Sequence, residues 1–231
     1  MLLPPNLEQA TFLRRMNRFT VLVELAGSET QVHLANSGRL RELLVPGNTV
    51  YLAHRPGAHR KTAYDLQLVE LEHILVSADA RLPNRLILEA FQERKLPQFA
   101  MYDTVRPEVV YGDSRLDVLL SGEDSDCYIE VKSVTLVEDG VGLFPDAATD
   151  RGRRHLGTLA TAKSQGHRAA VIFVVQREDV QRFSPHAEAD PAFSQELRRV
   201  DQLGVEVYAY RCALTPKEIV LSDQLPVSLA E

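Results

Sequence analysis

At about residue 80 the patterning of this chain changes from strands alone to strands alternating with helices. No other feature narrows the possible folds as much. Before the change lie FTVLVEL (19–25), TQVHLA (30–35), NTVYLAHR (48–55), YDLQLVELE (64–72) and HILVSA (73–78). The segments between them, such as AGSE, NSGR, VPGN and RPGAHRK, carry the Gly, Asn, Ser and Pro that make turns. Five short strands in so small a span suit a closed barrel, because closure leaves no edge exposed, although a sandwich would also accommodate them.

After the change, PNRLILEAFQERK (83–95) reads as a helix with Asn84 as its cap. Strand patterns follow at 108–112, 115–120 and 127–136, then a loop, VEDGVGLFPDAATD, and a helix at about 151–165. AAVIFVVQ (169–176) is a continuous apolar run, as expected of a strand buried on both faces. DPAFSQELRRVDQLG (190–204) has an Asp cap, Pro at the first helical position and Gly at the end. VEVYAYRC (205–212) closes the series as a strand. The expectation is an α/β (α+β) chain of two domains, a barrel over 1–80 and a mixed α/β layer domain over 81–231.

Charge is distributed unevenly between these halves. The net charge is −6. The first 80 residues hold 8 basic and 8 acidic side chains, and the remainder holds 18 against 24. The surface as a whole is therefore no polyanion trap, and contact with nucleic acid must come from local basic clusters. No stretch of about 18 apolar residues is present to span a membrane. The N-terminal MLLPPNLEQATFLRR lacks the basic start and long apolar stretch of a secretory signal. Cys127 and Cys212 sit in strand-like contexts and read as buried free thiols, so a cytoplasmic location is expected.

The segment SRLDVLLSGEDSDCYIEVKS (114–133) carries charge inside both strands of an expected hairpin. If the strands pair symmetrically about the turn at 121–126, Leu120 faces Cys127 and Asp117 faces Glu130. Opposed residues project from one face with Cβ atoms about 5 Å apart, and Lys132 shares that face by alternation. Two facing carboxylates repel unless a cation sits between them, and Mg2+ binds through one or two carboxylates plus waters and phosphates. The same register places Arg115 opposite Lys132, so ion pairs Asp117–Lys132 and Arg115–Glu130 would satisfy these charges equally.

An aspartate on one strand and Glu-x-Lys on the next, in a helix–three strands–helix–strand layout, resembles the PD-(D/E)xK nuclease superfamily. The chain also resembles the sugar fermentation stimulation protein family. The shared words include RRMNRF (14–19), VHLANSGRLRELLVPG (32–47), TAYDL (62–66), GDSRLDVLL (112–120) and IEVKSVTL (129–136). FPDAATDRGRRHL (144–156), FVVQRED (173–179), DPAF (190–193) and GVEVYAY (204–210) continue the match. The resemblance implies an OB-like barrel followed by a restriction-endonuclease-like domain that binds DNA. It implies a metal site of Asp117 and Glu130 for Mg2+, or Mn2+ in its place, with Lys132 assisting the attacking water. An acidic residue of the first helix often joins such sites, and Glu89 fits that place, although it could equally be a solvated helix residue.

Basic clusters supply candidate phosphate contacts. TDRGRRHLGTLATAK (149–163) puts Arg151, Arg154 and His155 on one helical face, beside the free N–H groups of a helix start. In the barrel half, FLRRMNRF brings Arg14, Arg15 and Arg18, and NSGRLR brings Arg39 and Arg41. RPGAHRKTAY adds Arg55, His59, Arg60 and Lys61. Aromatic residues are only 6% of the chain and Trp is absent, so binding through phosphates with little sequence readout is expected. No nucleophile elbow, phosphate-binding Gly-rich loop or zinc-ligand spacing is present. Three functions fit: a Mg2+-dependent nuclease, a DNA-binding regulator that keeps the fold without catalysis, and a small-molecule binder suggested only by the family's name.

Overall fold

The computed structural model describes residues 1–123 and 125–229. Five strands form the barrel: β1 (Glu8–Asn17), β2 (Thr20–Leu25), β3 (Ser28–His33), β4 (Thr49–His54) and β5 (Tyr64–Leu71). They follow the order β3-β2-β1-β4-β5, and the parallel pairing of His33 with Asp65 joins β3 to β5 and closes the cylinder. Phe12, Val21, Val23, Val32, Leu52 and Leu66 fill its interior. Leu25 and Ser28 pair across a two-residue turn in which Ala26 and Gly27 both have positive φ, a hairpin geometry that matches strand twist.

The barrel is as expected, but its strand list is not. Its first strand is β1, which the sequence pattern hides. Bulges between Phe12 and Arg14 and between Arg15 and Asn17 break the alternation, and a half-buried Arg15 falls where an apolar residue would mark the strand. The run at 73–78 instead forms β6 (Ile74–Ser77), a hairpin extension of β5.

Helix α1 (Leu82–Gln92) leads into β7 (Thr104–Tyr111), β8 (Ser114–Ser121), β9 (Asp126–Val134), β10 (Val137–Glu138) and β11 (Val141–Phe144). Then come α2 (Asp150–Ser164), β12 (Arg168–Val175), β13 (Arg182–Pro185), α3 (Pro191–Gln202), β14 (Glu206–Leu214) and β15 (Ile219–Leu225). The large sheet has the order β15-β14-β12-β9-β8-β7. Its central strands β9, β12 and β14 are parallel, and antiparallel strands flank them. One face packs under α1 through Leu86, Ile87, Val118, Ile129 and Ile172. The other packs under α2 and α3 through Leu156, Leu159, Phe193 and Leu197. As expected, α3 carries Pro at its start and an Asp190 cap that accepts the Phe193 N–H.

Three local expectations need correction. Asn84 does not cap α1. The cap position is Arg81, Pro83 lies in the first turn, and Asn84 is already helical with its side chain committed elsewhere. The stretch 137–150 is not all loop, because β10 and β11 form a hairpin and β11 runs parallel to β13. The hairpin turn at 121–126 includes Asp124, which lies outside the described residues.

Backbone and side-chain bonds tie the barrel to the sheet domain. Ser77 donates its N–H to Gln176 O at 3.1 Å, and Thr135 Oγ1 donates to Glu42 Oε1 at 3.1 Å. Asp146 Oδ2 accepts the N–H groups of Arg39 and Leu40, at 2.5 and 3.1 Å. A Cβ on Gly38 would lie 2.7 Å from that oxygen, so only glycine lets the two domains approach here.

Candidate active site

The hairpin register is the expected one as far as Leu120 facing Cys127 and Val118 facing Ile129, but the expected pairing of Asp117 with Glu130 is not in the ladder. Past Val118 the ladder stops, and Asp117 Oδ2 accepts the Val131 N–H at 2.8 Å. Its other oxygen, Oδ1, accepts from Asn84 Nδ2 at 2.7 Å. Helix α1 thus contributes an amide to this carboxylate. On β9, Glu130 is 3% exposed and reaches toward α2. Its Oε1 accepts from Lys132 Nζ at 2.5 Å and from His155 Nδ1. Its Oε2 is buried with no hydrogen-bond partner.

The two carboxyl groups are driven apart electrostatically. Burial and then the charge of Glu130 push Asp117 up to about 6, against the opposing Val131 N–H, Lys132 and Asn84. Burial pushes Glu130 upward too, but the His155 bond and the Lys132 charge outweigh it and hold Glu130 below the usual carboxylate range. Arg115 plays no part in this balance, since it pairs with Glu108 at 3.6 Å. The alternative Arg115–Glu130 ion pair does not form, and Lys132 pairs with Glu130 rather than Asp117.

A divalent cation suits this donor set. Leaving a buried carboxylate oxygen without a partner is costly, and the orphaned Glu130 Oε2, in a residue that lines one cavity with Asp117, offers a hard oxygen ligand for an ion. Among the described residues no group of three or more His, Cys, Asp and Glu is arranged around a metal position. The protein would therefore supply two carboxylates, and waters and phosphate oxygens would complete the shell, as is usual for Mg2+. Both carboxylates and Lys132 line a cavity of about 400 Å³. It lies between the barrel loop 36–40 and the start of α2, and Arg18, Arg39 and Arg151 stand on its wall.

Several anticipated site residues sit elsewhere. Glu89 does not join the carboxylates. It pairs with the N-terminal amine of Met1 at 3.0 Å, and Met1 is itself bonded to Ile219 on the far edge strand. Helical phase decides this, because Asn84 takes the side of α1 that faces Asp117. His155 is not a phosphate contact. It is 4% exposed and faces Glu130. Arg15 is not available to phosphate either. All five of its N–H donors are used on the carbonyls of Asn17, Arg18, Asn36, Gly38 and Arg39. Arg14 is exposed beside Met16, Arg18 lies over the Phe19 ring, and Arg39, Arg151 and Arg154 are exposed.

No local pattern marks Asn84 as a partner of Asp117, because that contact spans 33 positions. Asp146 belongs to the FPDAATDRGRRHL segment, yet its grip on the barrel loop spans 107 positions. Arg153, which lies off the helical face of Arg151 and Arg154, bonds to Asp190 at 2.9 and 3.0 Å and to Asp150. Asp190 also accepts the Thr149 N–H at 2.8 Å, so one buried carboxylate fastens the start of α2 to the start of α3.

Comparison with known proteins agrees with this architecture. Residues 13–78 match the family model for the SfsA N-terminal OB domain, and residues 81–218 match that for the sugar fermentation stimulation protein RE domain. A sugar fermentation stimulation protein homolog from Moorella thermoacetica is 49% identical, covering 98% of this chain and 99% of that protein. One from Desulforamulus reducens is 47% identical, covering 97% and 94%. Among solved structures, Pyrococcus furiosus SfsA in complex with Ca2+ superposes with a TM-score of 0.90 at 30% identity, covering 99% of this chain and 98% of that one. The OB barrel and the restriction-endonuclease-like sheet domain expected from the sequence are both present.

Proposed function

The chain belongs to the sugar fermentation stimulation protein family, and from that premise we propose that it binds DNA and hydrolyses phosphodiesters at Asp117, Glu130 and Lys132. The barrel of residues 1–80 and the sheet domain of 81–231 supply the two walls of the DNA cleft. One observation carries the reading: a buried glutamate with an unpartnered oxygen lies beside a second carboxylate and a lysine, in a cleft edged by exposed arginines. The arrangement supports the resemblance to PD-(D/E)xK nucleases. The Ca2+ complex of the Pyrococcus relative supports a divalent cation in this family.

Asp117 and Glu130 would hold Mg2+, or Mn2+, and the bound ion supplies Lewis-acid polarisation of a phosphoryl oxygen and a more acidic water. Asn84 and the Val131 N–H orient Asp117 for this task. Lys132, 11% exposed and paired with Glu130, would offset negative charge that develops on the phosphoryl group. Arg18, Arg39 and Arg151 bind flanking phosphates without reading bases. The buried, unpaired Cys127 and Cys212 suit a reducing cytoplasm.

The test is incubation of pure protein with labelled duplex and single-stranded DNA in Mg2+, Mn2+ or chelator. Metal-dependent cleavage that disappears in Glu130→Ala and Lys132→Ala is expected. Absence of product under every condition, or cleavage unchanged by both substitutions, would end the catalytic reading.

A second reading is DNA binding without catalysis. Its support is that, among the described residues, no group of three or more His, Cys, Asp and Glu is arranged to hold a metal ion. DNA affinity that survives Asp117→Asn, with no product from either protein, would favour it.

A further inference from the structure

Glu130 receives two donors, and both converge on one oxygen. Lys132 Nζ and His155 Nδ1 share Oε1, while Oε2 is buried and bare. A pair that only stabilised the fold would gain by spreading its donors over both oxygens, because each unsatisfied buried acceptor is costly. The asymmetry keeps one oxygen open.

The two donors differ in character. Lys132 hangs on a flexible stem with three rotatable donors, and it can leave Glu130 for a substrate. His155 cannot leave. Its ring is 4% exposed on the inner side of α2, next to Leu156 in the helix–sheet core. Arg151 Nε donates to His155 Nε2 at 3.4 Å. With Nε2 accepting, Nδ1 carries the ring hydrogen and donates to Glu130.

We infer that His155 is a positioning residue of the carboxylate site: its Nδ1–H holds Glu130 Oε1 so that Oε2 stays free for a divalent cation. This deepens the nuclease reading and rests on it. His155 touches neither substrate nor ion. It acts through Glu130, in the manner of the outer partners that orient metal-binding carboxylates. Arg151, bonded to the ring and standing on the cavity wall, links the phosphate-binding side of the cleft to the same carboxylate.

The experiment compares wild type with His155→Leu, which keeps bulk and removes both ring nitrogens, and with His155→Asn, whose amide can donate near the Nδ1 position. Mn2+ binding by calorimetry is measured on chelator-treated protein, alongside DNA binding in EDTA and thermal unfolding. The leucine variant should bind Mn2+ about 10- to 100-fold more weakly. Asparagine should recover most of that loss, and DNA binding in EDTA should stay at the wild-type level in both.

Wild-type Mn2+ affinity in a folded His155→Leu would overturn the inference while leaving the nuclease reading intact. So would asparagine binding no better than leucine at equal stability. A wild type that neither takes up Mn2+ nor cleaves DNA would overturn both. If the leucine variant does not fold, His155→Gln, which presents its amide nearer the Nε2 position, takes its place. Asparagine must then outbind glutamine, and equal affinities would reject the role of Nδ1.

Discussion

Asp117 is a carboxylate held where its charge is unwelcome, with a second carboxylate beside it and no counter-ion of its own. Its pKa rises from 3.8 to about 6 on folding, so the native protein binds this proton more tightly than the unfolded chain does. Asp117 therefore favours folding below about 3.8, and that contribution is lost as pH rises to about 6. Above that window its charge is a net penalty in the metal-free protein. Asp117→Asn should raise metal-free stability at pH 8 by on the order of 2 kcal/mol, and should flatten the pH dependence between 4 and 6. Mg2+ should stabilise wild type and leave the variant unchanged. Calorimetric unfolding with and without chelator checks this, and a variant less stable than wild type at pH 8 would contradict it. Asn84→Ala removes one of the two donors on Asp117 and should weaken Mn2+ binding about tenfold without unfolding α1.

At the scale of elements, the barrel loop 36–40 is fixed from two sides. Arg15 in β1 binds it from below through the carbonyls of Asn36, Gly38 and Arg39, and Asp146 from the segment before α2 binds its N–H groups from above. A lysine at position 15 has three donors for five acceptors. Arg15→Lys should therefore destabilise the barrel by about 2 kcal/mol, whereas Arg14→Ala should leave stability within about 0.5 kcal/mol. Urea unfolding distinguishes the two. If both substitutions behaved as exposed arginines do, the assignment of Arg15 to the loop would be wrong.

For the whole molecule, the proposed binding of a polyanion by a chain of net charge −6 requires one local basic surface. The cleft between the domains gathers Arg18, Arg39 and Arg151 at its wall, and Arg154 follows on the exposed side of α2. If these four make the phosphate contacts, log K should fall with log salt at a slope of roughly −3.6, and each alanine substitution should reduce it by about one. Fluorescence anisotropy across a salt series measures this, and a slope near zero would remove the cleft from consideration. No helix among the described residues is long and apolar enough to cross a membrane.

Strand alternation and pairing register are local rules. They were enough to bring Asp117, Glu130 and Lys132 to one patch, to order helices and strands after residue 80, and to indicate a barrel before it. The sequence alone did not determine what those side chains bind. Whether α1 turns Asn84 or Glu89 toward Asp117 depends on how that helix packs over the sheet, and His155 faces inward because α2 lies across β9. Asp146 meets Arg39 across 107 positions, and five carbonyls converge on Arg15 only once the barrel has closed around it. Contacts of that range have no periodic trace, because they follow from how whole elements dock rather than from which neighbour shares a face.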